Sequence, residues 1–144
     1  MAGAAVETTR KALALYGPSV LRSSYYDGNA RQWLPRLQGP PGPQKAATDP
    51  HAAGRALDII LFASDSEERD FADRIVTIFL DLRARMGFTA VIYNYWEWNG
   101  AGYKFARKGD PHTTHIHIEW SSAGVNNASF EFHLMYALWE EFWS

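Results

Sequence analysis

Residues 55–67 read Arg55-Ala-Leu-Asp-Ile-Ile-Leu-Phe-Ala-Ser-Asp-Ser-Glu67, and two structural signals meet in them. Arg55 to Phe62 has the length and aliphatic content of a strand. Ser64-Asp-Ser-Glu67 is a capping-box pattern, in which a hydroxyl and a carboxylate three residues on satisfy backbone N–H groups at a helix start. The helix it opens carries Phe71, Ile75, Ile78, Phe79, Leu82 and Met86 on one face at three- and four-residue spacing. Gly87 is its natural stop.

Working outward from that strand and helix, Thr89 to Asn94 reads as a strand, and Trp96 to Phe105 as a hairpin turning at Asn99-Gly100. His115 to Trp120 is a further strand. Asn127 to Trp143 is a closing helix with Phe130, Leu134, Leu138 and Phe142 turned inward. Toward the N-terminus, Val6 to Tyr16 and Asn29 to Leu37 read as helical, the second kept short or irregular by Pro35. Gly39-Pro-Pro-Gly-Pro43 is too rigid and donor-poor for a helix or central strand and reads as an ordered loop. Helices and strands mix without strict alternation. The expected class is therefore α+β, a small antiparallel sheet flanked by helices, in one domain over residues 1–144.

Composition narrows the function classes. With 47% hydrophobic and 21% charged residues, the chain has the means to fold around a core. Fourteen basic against sixteen acidic residues leave no basic footprint, so neither nucleic acid nor an anionic membrane surface is an expected partner. No stretch approaches the roughly 18 apolar residues of a spanning helix, so no membrane insertion is expected. Cysteine is absent, which excludes disulfides, thiolate metal sites and cysteine nucleophiles. The first residues lack the basic-then-apolar order of a secretory signal, so the expected location on synthesis is the cytoplasm.

The chemistry is concentrated in histidines. In His112-Thr-Thr-His115-Ile-His117-Ile-Glu-Trp120, strand alternation places His115, His117 and Glu119 on one face and Ile116, Ile118 and Trp120 on the other. Imidazoles so close would repel if charged, and the neutral form is the one that binds metal. Asp58 sits mid-strand in the apolar run, where a carboxylate is costly without a cation or several donors. His51 lies in the loop before that strand, and Gly54 allows a turn that brings it back toward Asp58. Two histidines and a carboxylate make a first-row metal site with an open position, for which zinc is the commonest occupant. His133, alone on the last helix, reads as structural.

His51-x-x-Gly-x-Ala-x-Asp58 followed by His115-x-His117 resembles the zinc peptidases grouped with lysostaphin, the D-Ala-D-Ala metallopeptidases and hedgehog. The extended His112-x-x-His115-x-His117 is similar to the penicillin-insensitive murein endopeptidase branch. Val91-Ile-Tyr-Asn-Tyr-Trp-Glu-Trp98 resembles actinobacterial and phage relatives of the D,D-carboxypeptidase branch. This resemblance spans roughly Leu21 to Trp120. It implies a single mononuclear Zn2+ held by His51, Asp58 and His117, with His112 and His115 as catalytic groups. Arg22 sits roughly where relatives read a substrate carboxylate, and Tyr93 and Trp96 are candidates to line the substrate cleft. Many carboxypeptidase relatives carry a glutamate base three residues before the last histidine ligand. Here that residue is Thr114, so the base is a histidine or Glu119.

The resemblance implies a metallopeptidase cutting peptide bonds of bacterial peptidoglycan, endo- or carboxypeptidase, acting as a monomer on the wall after release or export by other machinery. It has the look of a phage endolysin or an exported effector, and an inhibitor or immunity protein would then be its partner. Loss of the base leaves a second reading open, a zinc-stabilised binding domain without catalysis. A histidine phosphoesterase with paired His-x-Thr motifs ranks last, because His51 is followed two places on by Ala53.

Overall fold

The computed structural model describes residues 3–39, 54–100, 102–105 and 111–144. The glycine- and proline-rich loop from residue 40 onward and His51 lie outside them. The described elements run α1 (Ala4–Tyr16), β1 (Ser24–Asp27), β2 (Gln32–Pro35), β3 (Leu37–Gln38), β4 (Ala56–Ile60), α2 (Ser66–Asp81), α3 (Arg83–Met86), β5 (Phe88–Tyr93), β6 (Trp96–Trp98), β7 (Tyr103–Phe105), β8 (His115–Trp120) and α4 (Glu131–Phe142). A six-stranded sheet has the order β3-β4-β8-β5-β6-β7, every neighbouring pair antiparallel, and β1 and β2 form a separate hairpin. The mixture of helices and antiparallel sheet is the one expected.

Two adjacent rows across the sheet explain how it is used. Leu57, Ile118, Val91 and Trp98 stand side by side in register. The first three are buried, in one core with Val6 and Leu13 of α1, Ile75 and Phe79 of α2, and Leu134 and Leu138 of α4. Each such aliphatic side chain contributes about 1.5–3 kcal/mol by leaving water. One residue along each strand, the next row is Gln38, Asp58, His117, Ile92 and Glu97. Because successive side chains alternate between faces, this polar row lies opposite the helices.

The central helix begins one residue later than its sequence pattern suggests. Asp65, not Ser64, is the N-cap, its carboxylate accepting from the N–H groups of Glu67 and Glu68. A carboxylate is the better acceptor there, since its charge also meets the positive end of the helix dipole. Glu68 does not fold back on the cap. It turns inward, accepts from the Phe62 N–H, and pairs with buried Arg36 at 2.8 Å. Arg36, between β2 and β3, in turn donates to the Ile60 carbonyl, tying that junction to β4 and α2. The helix breaks at Leu82 and resumes as α3, and Gly87 ends it in the left-handed region at φ 80°.

The segment from Asn29 to Leu37 is not helical. It supplies a turn, β2 and β3. Asp27 holds the turn by accepting from the N–H groups of Asn29 and Ala30. Tyr26 and Trp33 meet across the strands, rings 5.6 Å apart. Pro35, which has no N–H to give, sits at the end of the hairpin ladder opposite Ser24. The closing helix also starts later than Asn127, which stays in a turn with its side chain accepting from the Ser129 N–H. Phe130, Leu134 and Leu138 are buried as expected, and Phe142 packs against the core half-buried. Among the described residues no helix is long and apolar enough to cross a membrane.

Candidate metal centre

β4 and β8 run side by side with Asp58 opposite His117, Ala56 opposite Glu119 and Ile60 opposite His115. This register is what brings the carboxylate of one strand onto the imidazoles of the other. His117 Nδ1 lies 2.8 Å from Asp58 Oδ1, and His115 Nε2 lies 3.9 Å from the same oxygen. On its other side, His117 Nε2 lies 2.7 Å from Glu119 Oε1. His115 Nδ1 is 3.0 Å from the Thr114 hydroxyl. The residue that replaces an expected glutamate thus orients the histidine beside it.

His112 reaches the same point from a different direction. β5 and β6 are joined by the two-residue turn Asn94-Tyr95, both in the left-handed region at φ 49° and 74°. Consecutive residues of this kind form the tight hairpin turn that matches strand twist. The turn's N–H groups point outward, Asn94 donating to the His112 carbonyl at 2.9 Å and Tyr95 to the Pro111 carbonyl at 2.8 Å. So held, His112 has φ 52°. A left-handed backbone at a non-glycine residue is costly and persists only where its surroundings enforce it. The His112 ring ends 4.9 Å from that of His115 and 5.6 Å from that of His117. Downstream, the carbonyls of Thr113 and Thr114 accept from Ala63 and Leu61, fixing the approach to β8.

His112, His115 and His117 each offer a ring nitrogen, and the three nitrogens lie within 4.8 Å of one another. The described residues therefore present three imidazoles that could hold a metal ion, with the Asp58 carboxylate beside His117 and His115. His117 is the most buried of the three. Burial lowers its pKa, but hydrogen bonds to Asp58 and Glu119, with the negative charge of both, outweigh burial and raise it to about 9.

The structure brings Asp58, His112, His115 and His117 together. It does not place Arg22, Tyr93 and Trp96 with them. Arg22 donates to the Ala14 carbonyl and lies over the Trp143 ring, so its contacts are with α1 and the end of the chain. Tyr93 is a core residue. Strand alternation turns it away from Ile92 and His117, its hydroxyl donates to the Leu61 carbonyl, and burial pushes the phenol pKa up. Trp96, its partner in register, shares that helix-side face and is half exposed. Gly54 is left-handed at φ 72°, in keeping with a turn just before β4. His133 is exposed on α4 beside Phe132. Sequence reasoning missed Glu119 as the second partner of His117, although its place on the shared face was plain. It also missed the Asn94-Tyr95 turn, signalled by a strand ending and another starting two residues apart.

The chain matches no family model, no curated protein and no solved structure.

Proposed function

We propose that the chain is a zinc-dependent peptidase acting on the peptide part of bacterial peptidoglycan, similar to the lysostaphin, D-Ala-D-Ala metallopeptidase and hedgehog group. The observation that carries this reading is the convergence of Asp58 of β4 with His112, His115 and His117 of the stretch entering β8 onto one patch of sheet. Nitrogen and carboxylate donors suit zinc, whose bonds of about 2.0–2.2 Å put ligand atoms roughly 3.3–3.5 Å apart in a tetrahedron. Between the two described ligands of this reading, Asp58 Oδ1 and His117 Nδ1 stand 2.8 Å apart, close enough for one ion to bridge them after a small opening. In this reading His51, Asp58 and His117 hold the ion.

Zinc, when bound, supplies a Lewis acid that polarises the scissile carbonyl and makes an attacking water more acidic. The chain's own residues do the rest. Asp58 brings the negative charge that balances the ion. Glu119 holds the His117 ring by Nε2 and leaves Nδ1 directed at Asp58, as carboxylates behind metal-binding histidines do. His112 and His115, whose rings lie 4.9 Å apart with the His112 ring 5.6 Å from that of His117, would take the proton from the attacking water and return it to the leaving amine. Thr114 and the Asn94-Tyr95 turn set their positions. Such a substrate lies outside the cytoplasm, so the reading includes release or export.

Thr114 in place of a glutamate favours one other reading, a zinc-stabilised binding domain without turnover. Mass spectrometry of muropeptides after incubation with protein and zinc separates the two. The peptidase reading expects new peptide fragments or free D-alanine, abolished by a chelator. Full zinc loading with no product from any peptidoglycan type would instead support the binding domain.

A further inference from the structure

α4 has two apolar faces, one buried in the core and the other left largely in solvent, with Trp143 at its end under Arg22. Phe130, Leu134 and Leu138 are buried against the core. Phe132, Tyr136, Trp139 and Trp143 follow at separations of four, three and four residues. At 100° per residue they fall within an arc of about 60° on the side away from the core. They are 73%, 54%, 43% and 48% exposed. The stripe is ordered in advance. Phe132 stacks on Tyr136 at 6.2 Å, Tyr136 meets Trp139 at 6.3 Å, and the Trp143 indole donates to the Tyr16 carbonyl. A cleft of about 350 Å³ lies between Tyr16, Phe132, Met135, Tyr136 and Trp139.

We propose that this stripe is the contact between two copies of the chain, packed as antiparallel α4 helices about a two-fold axis level with Ala137 and Leu138. Three features point to a second copy. The four-three-four spacing is its own mirror image along the helix, so reversal sets Phe132 opposite Trp143 of the partner subunit and Tyr136 opposite Trp139 of the partner subunit. This is the self-complementarity an isologous contact requires. The flank also sets an imidazole against a carboxylate. His133 and Glu140 lie on the same side of the stripe, and at 1.5 Å rise per residue His133 comes within about 3 Å, along the axis, of Glu140 of the partner subunit. Finally, the exposed parts of the four rings amount to roughly 450 Å² per copy. Doubled, that approaches the roughly 1,000 Å² at which specific association begins, which fits a weak, concentration-dependent dimer. The monomer expected from the sequence is then the dilute form.

Sedimentation velocity on the full chain between about 1 µM and 1 mM tests this, the range expected of small interfaces. The sedimentation coefficient should rise with concentration toward that of a dimer. Tyr136→Glu and Trp139→Glu should each weaken association by at least about tenfold, with the dilute protein still folding cooperatively, because both side chains are about half exposed. Glu140→Lys should weaken it too, and adding His133→Glu should restore it. A single monomeric species across the whole range overturns the proposal. So does a dimer indifferent to Tyr136→Glu and Trp139→Glu, or a charge exchange that fails to rescue.

Discussion

His117 lies between two carboxylates, Asp58 at 2.8 Å on Nδ1 and Glu119 at 2.7 Å on Nε2, and each occupies a different ring nitrogen. Asp58 comes from the neighbouring strand and Glu119 from two residues along the same strand. Such a histidine is fixed in orientation and strongly basic. Both properties have measurable consequences.

Basicity gives the first. Without metal, the folded-state pKa of His117 is about 9, above the ordinary value of 6.5. A raised pKa means the folded state binds the proton more tightly than the unfolded chain does. The resulting stabilisation is complete below about pH 6.5 and is lost as pH rises through 9, and amounts to at most about 3 kcal/mol. Urea unfolding of chelator-treated protein should show stability falling from pH 6 to pH 9.5, and His117→Gln should flatten the profile. A wild-type profile that is flat or rises over that window contradicts the paired geometry.

Fixed orientation gives the second. Removing Glu119 frees His117 Nε2 without touching the proposed ligands. Glu119→Ala should weaken zinc binding about 10- to 100-fold, the range for a carboxylate behind a ligand histidine. Glu119→Gln, which still offers an acceptor oxygen, should lose less. Competition against a chromophoric chelator measures both, and equal affinity in all three proteins would show that Glu119 does not hold the ring.

Catalytic and ligand roles should separate within the cluster. His112→Ala and His115→Ala are expected to fold and keep zinc yet lose at least about a hundredfold in rate, the lower range for a missing acid–base group. Turnover on peptidoglycan, zinc content and melting temperature are measured together. Should Glu119→Gln abolish turnover while both histidine variants stay active, a glutamate base replaces the histidines.

Away from the site, the Arg36–Glu68 pair carries its own expectation. Both side chains are largely buried, and Glu68 also accepts from the Phe62 N–H. Glu68→Ala leaves a buried guanidinium uncompensated, at a cost of about 3 kcal/mol. For a chain of this size that is a fall of roughly 10 °C in melting temperature. A fall of less than about 3 °C would show that the pair contributes little.

Much of this arrangement was legible in the sequence because strand alternation is a local property. The face shared by His115, His117 and Glu119, and the polar break at Asp58 in an aliphatic run, follow from period two alone. The register that sets Asp58 opposite His117 is a long-range pairing, and only the motif resemblance hinted at it. Asn29 to Leu37 was misread because Trp33, Leu34 and Leu37 fit a short helical spacing as well as a strand. Its deciding signals, the Asp27 turn and the Tyr26–Trp33 contact, lie partly outside the segment. The helix cap shifted from Ser64 to Asp65 because the two cap residues are adjacent, and Glu68 is drawn away by Arg36, a partner distant in sequence. Tyr93 looked like a cleft residue for the same reason that Trp96 did, but a register decided elsewhere turns both toward the helices.

A metal held at Asp58 and His117 is open to test by zinc stoichiometry. Elemental analysis of protein purified without chelator and dialysed against zinc should find one ion per wild-type chain. It should find none on Asp58→Ala or His117→Ala, whose melting temperatures should no longer respond to zinc. A wild-type chain that takes up no zinc, or variants that retain a full equivalent, would rule out a metal at these two residues.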